Sequence, residues 1–383
     1  MYLDYNSTAP VDFRVLGAMY EVYREHFGNP SSTHQTGAKA RDLIDKSRAT
    51  VASLLGADVH DVIFTSGATE ANNTAVSWLS HGPRNRGILY GATEHKSVIR
   101  PCTHMAKRFG VRAIPIPVTR DGVIDLEKYE VLLADSGAEM VSIMAANSET
   151  GVINPVREAA ALAKEYGAIL HCDATQAAGK IPFHMNDLCI DIATISAHKI
   201  YGPKGVGALV APRYVRKQLE PVVHGGGQES NLRSGTENVP GIVGFAKACE
   251  IAKSERLADA GRQARLRDYL EDHLASTLGD ISVNGKSVAR IPNTTNVRIA
   301  GALADAVVVN LQRTEISTGS ACSSSTMEPS HVLLAMGLNR READESIRIS
   351  LGRPTTREDV DIAIQDIVQA AEYVRTTSII RSA

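Results

Sequence analysis

Short apolar segments rich in β-branched residues recur through the first half of the chain, and this repetition most constrains the fold. Each segment has the length of a buried strand, and helical patterns lie between several of them. The alternation predicts an α/β protein with a largely parallel, twisted sheet covered on both faces. The predicted strands are 62–65, 88–91, 111–116, 140–145, 168–172, 190–196 and 206–210.

The pattern changes in the last third of the chain. A long, charged, Ala- and Leu-rich helix is predicted over 248–275, and a mixture of short strands and helices follows it. We therefore expect a large domain over residues 13–257 and a smaller α+β domain built from 1–12 and 258–383. The other predicted elements are helices at 11–26, 37–55 and 356–374, an amphipathic stretch at 303–312, and strands at 280–283, 294–299 and 346–351.

Composition argues against several classes of protein. The 383 residues are 43% hydrophobic, enough for a sizeable core, and the 41 basic and 43 acidic side chains nearly cancel. We therefore expect no nucleic-acid or membrane surface, and no apolar run approaches membrane-spanning length. Met1 to Asn6 lack the features of a signal peptide, so we expect a cytoplasmic protein. Five scattered cysteines without a Cys-x-x-Cys pair argue against a disulfide framework or a structural metal site.

Lys199 is the first candidate for chemistry. The stretch Ser196-Ala-His-Lys199 comes where a predicted strand ends, and open α/β sheets bind ligands at the carboxyl ends of their strands. Loss of solvation lowers the pKa of an amine, and a neutral amine can form a Schiff base with a carbonyl. We interpret Lys199 as this amine and the carbonyl as the aldehyde of pyridoxal phosphate. Taken alone, the pattern also fits a surface lysine in a loop.

Two motifs follow earlier strands. Ser66-Gly-Ala-Thr69 opens a predicted helix, where free backbone N–H groups and the Thr69 hydroxyl suit a phosphate, although an ordinary helix start would look similar. His95, in Thr93-Glu-His95, could stack on a planar ligand or move protons near neutral pH. A purely structural histidine is the alternative.

Amide and carboxylate side chains follow the next strands. The Asn147 amide can donate to a carboxylate, although a simple turn ending in Gly151 is equally compatible. Asp173 follows an apolar run, so its partly buried carboxylate needs a charged or donor partner. A pyridinium nitrogen would serve, and a helix N-cap role for Asp173 is the alternative. Gln176 could reach a ring hydroxyl.

Three features of the second half complete the set. The glycine-rich stretch 224–236 ends in Thr236 and could approach a phosphate closely. Cys322 lies among small polar residues, a setting in which a thiol can reach a substrate. Arg348, in an apolar frame, is expected to be partly buried and to bind either a carboxylate or an internal acidic partner.

The order of these motifs resembles the cysteine desulfurases, fold-type-I pyridoxal-phosphate enzymes of the class V aminotransferase family. The resemblance runs from Tyr2 to Arg353 and is strongest to the branch with a long cysteine loop followed by Glu328-Pro-Ser-His. It implies a mostly parallel seven-stranded sheet and a smaller α+β domain that carries the cysteine loop, at about residues 317–327. The matching motifs are Ser66-Gly-Ala-Thr-Glu, Thr93-Glu-His, Asp173-Ala-Thr-Gln, Ser196-x-His-Lys199, Arg233-Ser-Gly-Thr and Gly319-Ser-Ala-Cys322.

The resemblance also implies a role for each residue. Lys199 would hold the cofactor and move protons, His95 would stack on the ring and act as acid and base, and Cys322 would attack the substrate sulfur. Asn147 and Arg348 would hold the substrate carboxylate, and Thr236 would reach the phosphate of the opposite subunit in a homodimer. Asp173 would pair with the pyridine nitrogen and Gln176 with the ring oxygen. The implied cofactor-binding residues are Ala68, Thr69, His95, Asp173, Gln176, Ser196, His198, Lys199 and Thr236.

The implied reaction converts L-cysteine to L-alanine and leaves a persulfide on Cys322 for a sulfur-acceptor protein. Ser148, Ala197 and the short stretch after the last predicted helix depart from the pattern of many relatives. The acceptor therefore stays open between iron–sulfur assembly, tRNA thiolation and DNA phosphorothioation. Alternatives are an aminotransferase, a selenocysteine lyase or a non-catalytic sulfur-relay protein. A nucleotide-binding protein is disfavoured because the dinucleotide and P-loop fingerprints are missing.

Overall fold

The computed structural model describes residues 1–80, 87–318 and 328–382. A seven-stranded sheet lies at its centre, in the order β1-β7-β6-β5-β4-β2-β3. All neighbouring pairs are parallel except those made by β7, which is antiparallel to β1 and β6. The strands are β1 (Val62–Thr65), β2 (Gly87–Gly91), β3 (Arg112–Ile116), β4 (Ala138–Ser142), β5 (Ile169–Asp173), β6 (Ile192–Ser196) and β7 (Gly207–Val210). The predicted α/β fold with a mostly parallel sheet is confirmed.

Alternate residues of the strands face two separate apolar layers. Phe64 and Leu89 pack into one core cluster, whereas their neighbours Ile63 and Ile88 pack into another. Burying both faces explains why the strands are almost wholly apolar in sequence. The helices that cover the sheet are α1 (Phe13–Glu25), α2 (Gln35–Leu55), α3 (Ala68–Val76), α4 (Lys96–Phe109), α5 (Leu126–Ser136), α6 (Val156–Glu165) and the single turn α7 (Arg213–Arg216).

Helix α8 (Val239–Leu278) connects two hydrophobic cores. Its first half, including Phe245, packs with the large sheet, and its second half, including Leu270, packs with a separate cluster. That cluster contains a three-stranded antiparallel sheet in the order β10-β9-β8. Its elements are β8 (Ile281–Val283), β9 (Thr294–Ile299), α9 (Ala304–Asn310), β10 (Ser346–Ser350) and α12 (Arg357–Ser382). The short helices α10 (His331–Ala335) and α11 (Arg340–Asp344) pack instead with the core of the large sheet. The boundary that we expect near residue 257 lies inside α8.

The N-terminal segment joins the smaller sheet and then reaches the larger one. Asp4 forms a parallel bridge with Ser350, and Tyr2 forms one with Glu315. Residues 6–8 then cross to the carboxyl edge of the large sheet, where Lys199 lies. The chain thus brings its first residues beside the ends of β5 and β6.

Several boundaries differ from those expected. Helix α2 begins at Gln35 instead of residue 37, because the His34 side chain accepts the N–H of Gly37 and caps the helix. Strand β4 ends at Ser142 instead of residue 145, although the next residues still donate main-chain hydrogen bonds to β5. None of the helices in the three described stretches is long and apolar enough to span a membrane.

Candidate active site

A cavity of about 630 Å³ opens where the parallel strands of the large sheet end. Residues 6–8 of the N-terminal segment, residues 328–332 and Arg348 of β10 complete its wall. The structure brings together in this wall nine residues that the sequence singles out. They are Ala68, Thr69, His95, Asp173, Gln176, Ser196, His198, Lys199 and Arg348.

Lys199 ends a short 3₁₀ turn, Ala197–Lys199, directly after β6. Its Nζ donates hydrogen bonds to the carbonyl oxygens of Asn6 at 2.6 Å and Ser7 at 2.7 Å. Both acceptors belong to the main chain, so the N-terminal segment sets the position of the amine. An amine presented to a cavity in this way suits covalent chemistry with a carbonyl ligand.

The first turn of α3 forms the part of the cavity that best suits a phosphate. Gly67 caps the helix with a φ of 153°, and no described side chain caps the N–H groups of this turn. These N–H groups and the positive end of the helix dipole are available to an anion. The hydroxyl groups of Thr69 and Ser196 face the same cavity.

His198 lies next to this subsite. Its Nδ1 is 3.0 Å from Thr8 Oγ1, which fixes the ring against the N-terminal segment. Burial, with a smaller effect from Lys199 and Lys204, lowers the pKa of His198 to about 4. The ring is therefore neutral near physiological pH and can act there as a hydrogen-bonding group.

Asp173 is the last residue of β5 and is buried. Its Oδ1 accepts the N–H of Thr175 and its Oδ2 accepts Asn72 Nδ2, both at 2.9 Å. No helix begins after Asp173, where the chain continues as turns, so the helix N-cap alternative is wrong. The carboxylate is held by two donors and faces the cavity. This is the position that a partner of a cationic ring nitrogen would need.

Gln176 is oriented by a lysine that the sequence does not single out. Its Oε1 accepts from Lys180 Nζ, and its Nε2 donates to the Asn6 carbonyl at 3.0 Å. Lys180 Nζ also donates to Asn6 Oδ1 at 3.0 Å. Burial, together with the positive charges of Lys199 and Arg348, lowers the pKa of Lys180 well below its usual value.

His95 caps helix α4 through its imidazole. Its Nδ1 accepts the N–H of Ser97 at 3.1 Å and lies 2.7 Å from Ser97 Oγ. The ring is open to the cavity, but desolvation within the site lowers the pKa of His95, and only Asp173 opposes that shift. His95 is thus neutral at physiological pH.

Arg348 projects from β10 and is 5% exposed. Its guanidinium donates to Asp4 Oδ1 and Ser7 Oγ, both at 2.7 Å, and to the Ser148 carbonyl at 3.2 Å. Its Nε has no hydrogen-bond partner among the described residues, although it is buried. The internal acidic partner expected for Arg348 is therefore Asp4, and binding of a substrate carboxylate stays a prediction.

Asn147 is not part of the cavity wall. Its Nδ2 donates to the Thr93 carbonyl at 3.0 Å, and its Oδ1 accepts the N–H groups of Glu149 and Thr150. The amide holds a turn, and its neighbour Ser148 lines the cavity instead. A role of Asn147 in binding a carboxylate stays a prediction.

Two other residues expected in the active site are not seen in this cavity. Thr236 is exposed and does not line the cavity of this chain. Cys322 lies outside the described residues. On either side of it, Ser317 forms a bridge with Arg348, and Glu328 lines the cavity.

Sequence reasoning missed the residues that hold the predicted ones in place. Glu149, for example, is buried beside the cavity, and its Oε2 lies 2.5 Å from Ser330 Oγ. Burial raises the pKa of Glu149. Asn72, shortly after the motif Ser66-Gly-Ala-Thr-Glu, was a usable signal, because a polar residue on a buried helix face needs partners. The other missed residues are Asn6, Ser7, Ser97 and Lys180.

These residues fit pyridoxal phosphate. The cavity offers a lysine amine, an uncapped helix start, a buried carboxylate and an imidazole that can stack on a ring. Thr175 Oγ1 and Arg348 Nε are buried in its wall without partners among the described residues, as expected of groups that await a ligand. The donor set matches a phosphate at one end and a carboxylate at the other.

Comparison with known proteins agrees with this assignment. A family model described as aminotransferase class-V matches residues 1–362. "Cysteine desulfurase IscS" of Anaeromyxobacter sp. (strain Fw109-5) is 42% identical over 381 residues, covering 99% of this chain and 94% of that protein. "Cysteine desulfurase IscS 1" of Archaeoglobus fulgidus is 43% identical, covering 98% of each chain. A solved "NifS-like protein" superposes with a TM-score of 0.89 at 38% identity, covering 97% of this chain and 99% of that one.

The chain therefore belongs to the aminotransferase class-V family. It shares the fold-type-I architecture of the solved NifS-like protein. Within that family it groups with the pyridoxal-phosphate-dependent cysteine desulfurases. The resemblance inferred from the motifs is confirmed.

Proposed function

We propose that this protein converts L-cysteine to L-alanine and holds the sulfur as a persulfide on Cys322. The observation that carries the proposal is the convergence of Lys199, Asp173 and Arg348 on one cavity beside an uncapped helix start. Pyridoxal phosphate, when bound, supplies an electron sink for negative charge next to the substrate carboxylate. The remaining steps belong to side chains of this protein.

Arg348 is proposed to orient the substrate through its carboxylate. The guanidinium is preorganised by Asp4 and Ser7, and its buried Nε is the donor left for a ligand. A planar fork binds a carboxylate with defined geometry, so the amino group of the substrate would point toward Lys199. The main-chain carbonyls of Asn6 and Ser7 hold Lys199 Nζ where it can take and return the α-proton.

Cys322 is proposed to receive the sulfur. Its thiolate attacks the substrate sulfur, the bond between that sulfur and Cβ breaks, and the S–S bond of the persulfide forms. The electron pair of the broken bond stays with the three-carbon fragment, which gains protons to become alanine. Cysteine plus the enzyme thiol thus gives alanine plus the enzyme persulfide, with atoms and electrons balanced.

The protein is further proposed to act as a cytoplasmic homodimer that passes sulfur to an acceptor protein. Helix α1 and the residues after it present an apolar stripe to solvent, and each of its members is at least half exposed. Residues spaced three or four apart form one face of a helix, and a second copy is the occupant that would cover it. The stripe consists of Phe13, Leu16, Tyr20, Tyr23 and Phe27.

Alanine release from L-cysteine in the presence of a reductant tests the proposed activity. We expect Cys322→Ser to abolish alanine release and to keep the yellow colour of bound cofactor. Cys189→Ser is the matched control, because Cys189 is an exposed thiol that lies far along the chain from the cysteine loop. If Cys322→Ser keeps its activity, the thiol is not the nucleophile, and an aminotransferase or a lyase without a thiol becomes the better assignment. If the wild-type protein binds cofactor but releases no alanine from L-cysteine, the substrate is wrong.

A further inference from the structure

Asn6 is the residue through which the N-terminal segment contacts both sheets of the molecule. It is buried, and its Nδ2 donates to the Ser148 carbonyl at 3.0 Å and to Thr294 Oγ1 at 2.7 Å. Its Oδ1 accepts from Asn293 Nδ2 at 3.1 Å and from Lys180 Nζ at 3.0 Å. The smaller sheet and the turn after β4 therefore hold one side of the Asn6 amide, and Lys180 holds it from the large sheet.

The partners of the Asn6 amide fix its direction. A main-chain carbonyl can only accept a hydrogen bond, so the NH₂ group of Asn6 must face Ser148. The Asn293 amide is fixed in the same way by the Leu351 carbonyl, to which it donates at 3.2 Å. The Asn6 oxygen is thus left to accept from Asn293 and Lys180.

The main-chain carbonyl of Asn6 faces the reactive lysine. It accepts from Lys199 Nζ at 2.6 Å and from Gln176 Nε2 at 3.0 Å. Ser7, the next residue of the same segment, supplies the second carbonyl that holds Lys199 Nζ. Because the Asn6 side chain and carbonyl belong to one residue, a displacement of the side chain also displaces an acceptor of Lys199.

Lys180 closes a ring of hydrogen bonds behind Lys199. Its Nζ donates to Gln176 Oε1 as well as to Asn6 Oδ1, and Gln176 Nε2 donates to the Asn6 carbonyl. Burial, together with nearby positive charges, lowers the pKa of Lys180. A charged amine carries three hydrogens and a neutral one carries two, so both donations persist in either form. A hydroxyl in its place could supply only one.

We propose that Lys180 is a positioning residue for the reaction: it holds Asn6 in place, and through the Asn6 carbonyl it sets the position of the Lys199 amine. Both acceptors of Lys180 are uncharged oxygens, so it acts on them as a hydrogen-bond donor. Asn6 and Gln176 are buried, so water competes little for these bonds. This inference rests on the proposed function for the role of Lys199 and adds a residue on which that role depends.

Lys180→Met removes the donor and keeps a similar unbranched shape. Gln176 Oε1 and Asn6 Oδ1 each lose a hydrogen bond, so the Asn6 carbonyl should shift and Lys199 with it. A misplacement of about 1 Å can slow a reaction roughly 10²-fold, so we expect transfer of the α-proton to slow by about tenfold to a hundredfold. The loss should appear in the rate at saturating amino acid more than in its affinity, because Arg348 keeps Asp4 as its partner.

Exchange of the α-hydrogen of L-alanine for deuterium, followed by proton NMR on the cofactor-loaded protein, measures this step. L-alanine is the product of the proposed reaction and carries an α-hydrogen, but it has no sulfur, so Cys322 takes no part. Each rate is divided by the amount of bound cofactor, measured by absorbance, so that a loss of cofactor is not counted as slow exchange. A Lys180→Met protein that exchanges as fast as the wild type at saturating L-alanine overturns the proposal.

Lys253→Met is the matched control. Lys253 Nζ also donates to two oxygens of another element, the Oγ and the carbonyl of Ser53 on α2. It is exposed on α8 and does not line the active-site cavity. Its exchange rate should equal that of the wild type.

Asn6→Ala shows whether Lys180 acts through Asn6. It keeps the main-chain carbonyl and removes Oδ1, so it should itself slow the exchange. If the two substitutions remove the same link, Lys180→Met should slow the exchange little further in the Asn6→Ala protein. A wild-type rate in Asn6→Ala, or losses that multiply in the double variant, would contradict the proposal.

The exchange assay keeps this inference separate from the proposed function. A wild-type protein that exchanges the α-hydrogen of L-alanine but releases no alanine from L-cysteine refutes the proposed function, and the comparison with Lys180→Met still decides the role of Lys180. A wild-type protein that forms alanine from L-cysteine, with an unchanged exchange rate in Lys180→Met, refutes the role of Lys180 and leaves the proposed function standing.

Discussion

Main-chain carbonyl groups position the two principal cations of the site. Asn6 and Ser7 hold Lys199 Nζ, and Ser148 accepts from the Arg348 guanidinium. A carbonyl orients a cation without cancelling its charge, whereas Arg348 also pairs with the Asp4 carboxylate at 2.7 Å. Both cations suit anionic ligands, such as a substrate carboxylate or a cofactor phosphate.

Arg348→Lys should weaken substrate binding more than it slows turnover. A lysine keeps the charge but loses the fork, and a hydrogen bond to a charged group contributes about 1.5–3 kcal/mol. We expect KM for L-cysteine to rise roughly tenfold to a hundredfold, with a smaller fall in kcat. Steady-state kinetics measures both constants.

Arg341→Lys is the control for this substitution, because Arg341 is an exposed arginine that also pairs with an acid, Glu345. Its KM should equal that of the wild-type enzyme. An unchanged KM in Arg348→Lys would show that another group binds the carboxylate.

At the scale of elements, the contact between the first turn of α3 and strand β7 shapes the phosphate subsite. A Cβ on Gly207 would lie 2.5 Å from the Ile195 carbonyl and 2.7 Å from the Gly67 Cα. Both contacts are to backbone atoms, which cannot move without disturbing β6 or the start of α3. The glycine is therefore required for the close approach of the two elements.

Gly207→Ala should weaken cofactor binding and destabilise the fold. Overpacking of this kind costs about 1–3 kcal/mol, and the displaced α3 turn would no longer present its N–H groups to the phosphate. Cofactor titration followed by absorbance, together with urea unfolding, measures both effects. Gly261→Ala, in α8, is the control, since a Cβ there meets only a flexible arginine end at 3.6 Å. Equal cofactor affinity in the two variants would contradict this account of the subsite.

Strand ends were predictable from sequence, but the segments that come from far along the chain were not. Asp173 and Lys199 come where short apolar runs end, and such runs identify buried strands from the local sequence alone. Asn6 and Ser7 carry no local mark of chemistry, because they reach the site only through bridges between the N-terminus and β10. Asn147 shows the opposite case: its motif marked the right turn, but the amide holds that turn and Ser148 faces the cavity.

At the scale of the whole molecule, a single copy of the chain leaves two features unexplained. The apolar stripe of α1 is open to solvent, and Thr236, which the family resemblance assigns to a phosphate, does not reach the cavity of its own chain. A homodimer that shares its active sites accounts for both. The stripe would be buried, and Thr236 would serve the neighbouring subunit.

Tyr20→Asp should therefore convert the protein to a monomer and reduce its activity. A buried carboxylate without a partner opposes association strongly. Light scattering coupled to size-exclusion chromatography gives the mass, and alanine release gives the activity. Val309→Asp is the control, because Val309 is also more than half exposed but lies on α9 instead of α1. A Tyr20→Asp protein that remains dimeric would exclude this face as the interface.

The central claim is that sulfur from L-cysteine comes to rest on Cys322. The most direct measurement is peptide mass spectrometry of the cofactor-loaded protein after L-cysteine is added without a reductant. The account predicts one added sulfur atom on the peptide that contains Cys322, released by a reductant, with Cys189 unmodified. Alanine formation without added sulfur on that peptide, or sulfur on another cysteine, would contradict it.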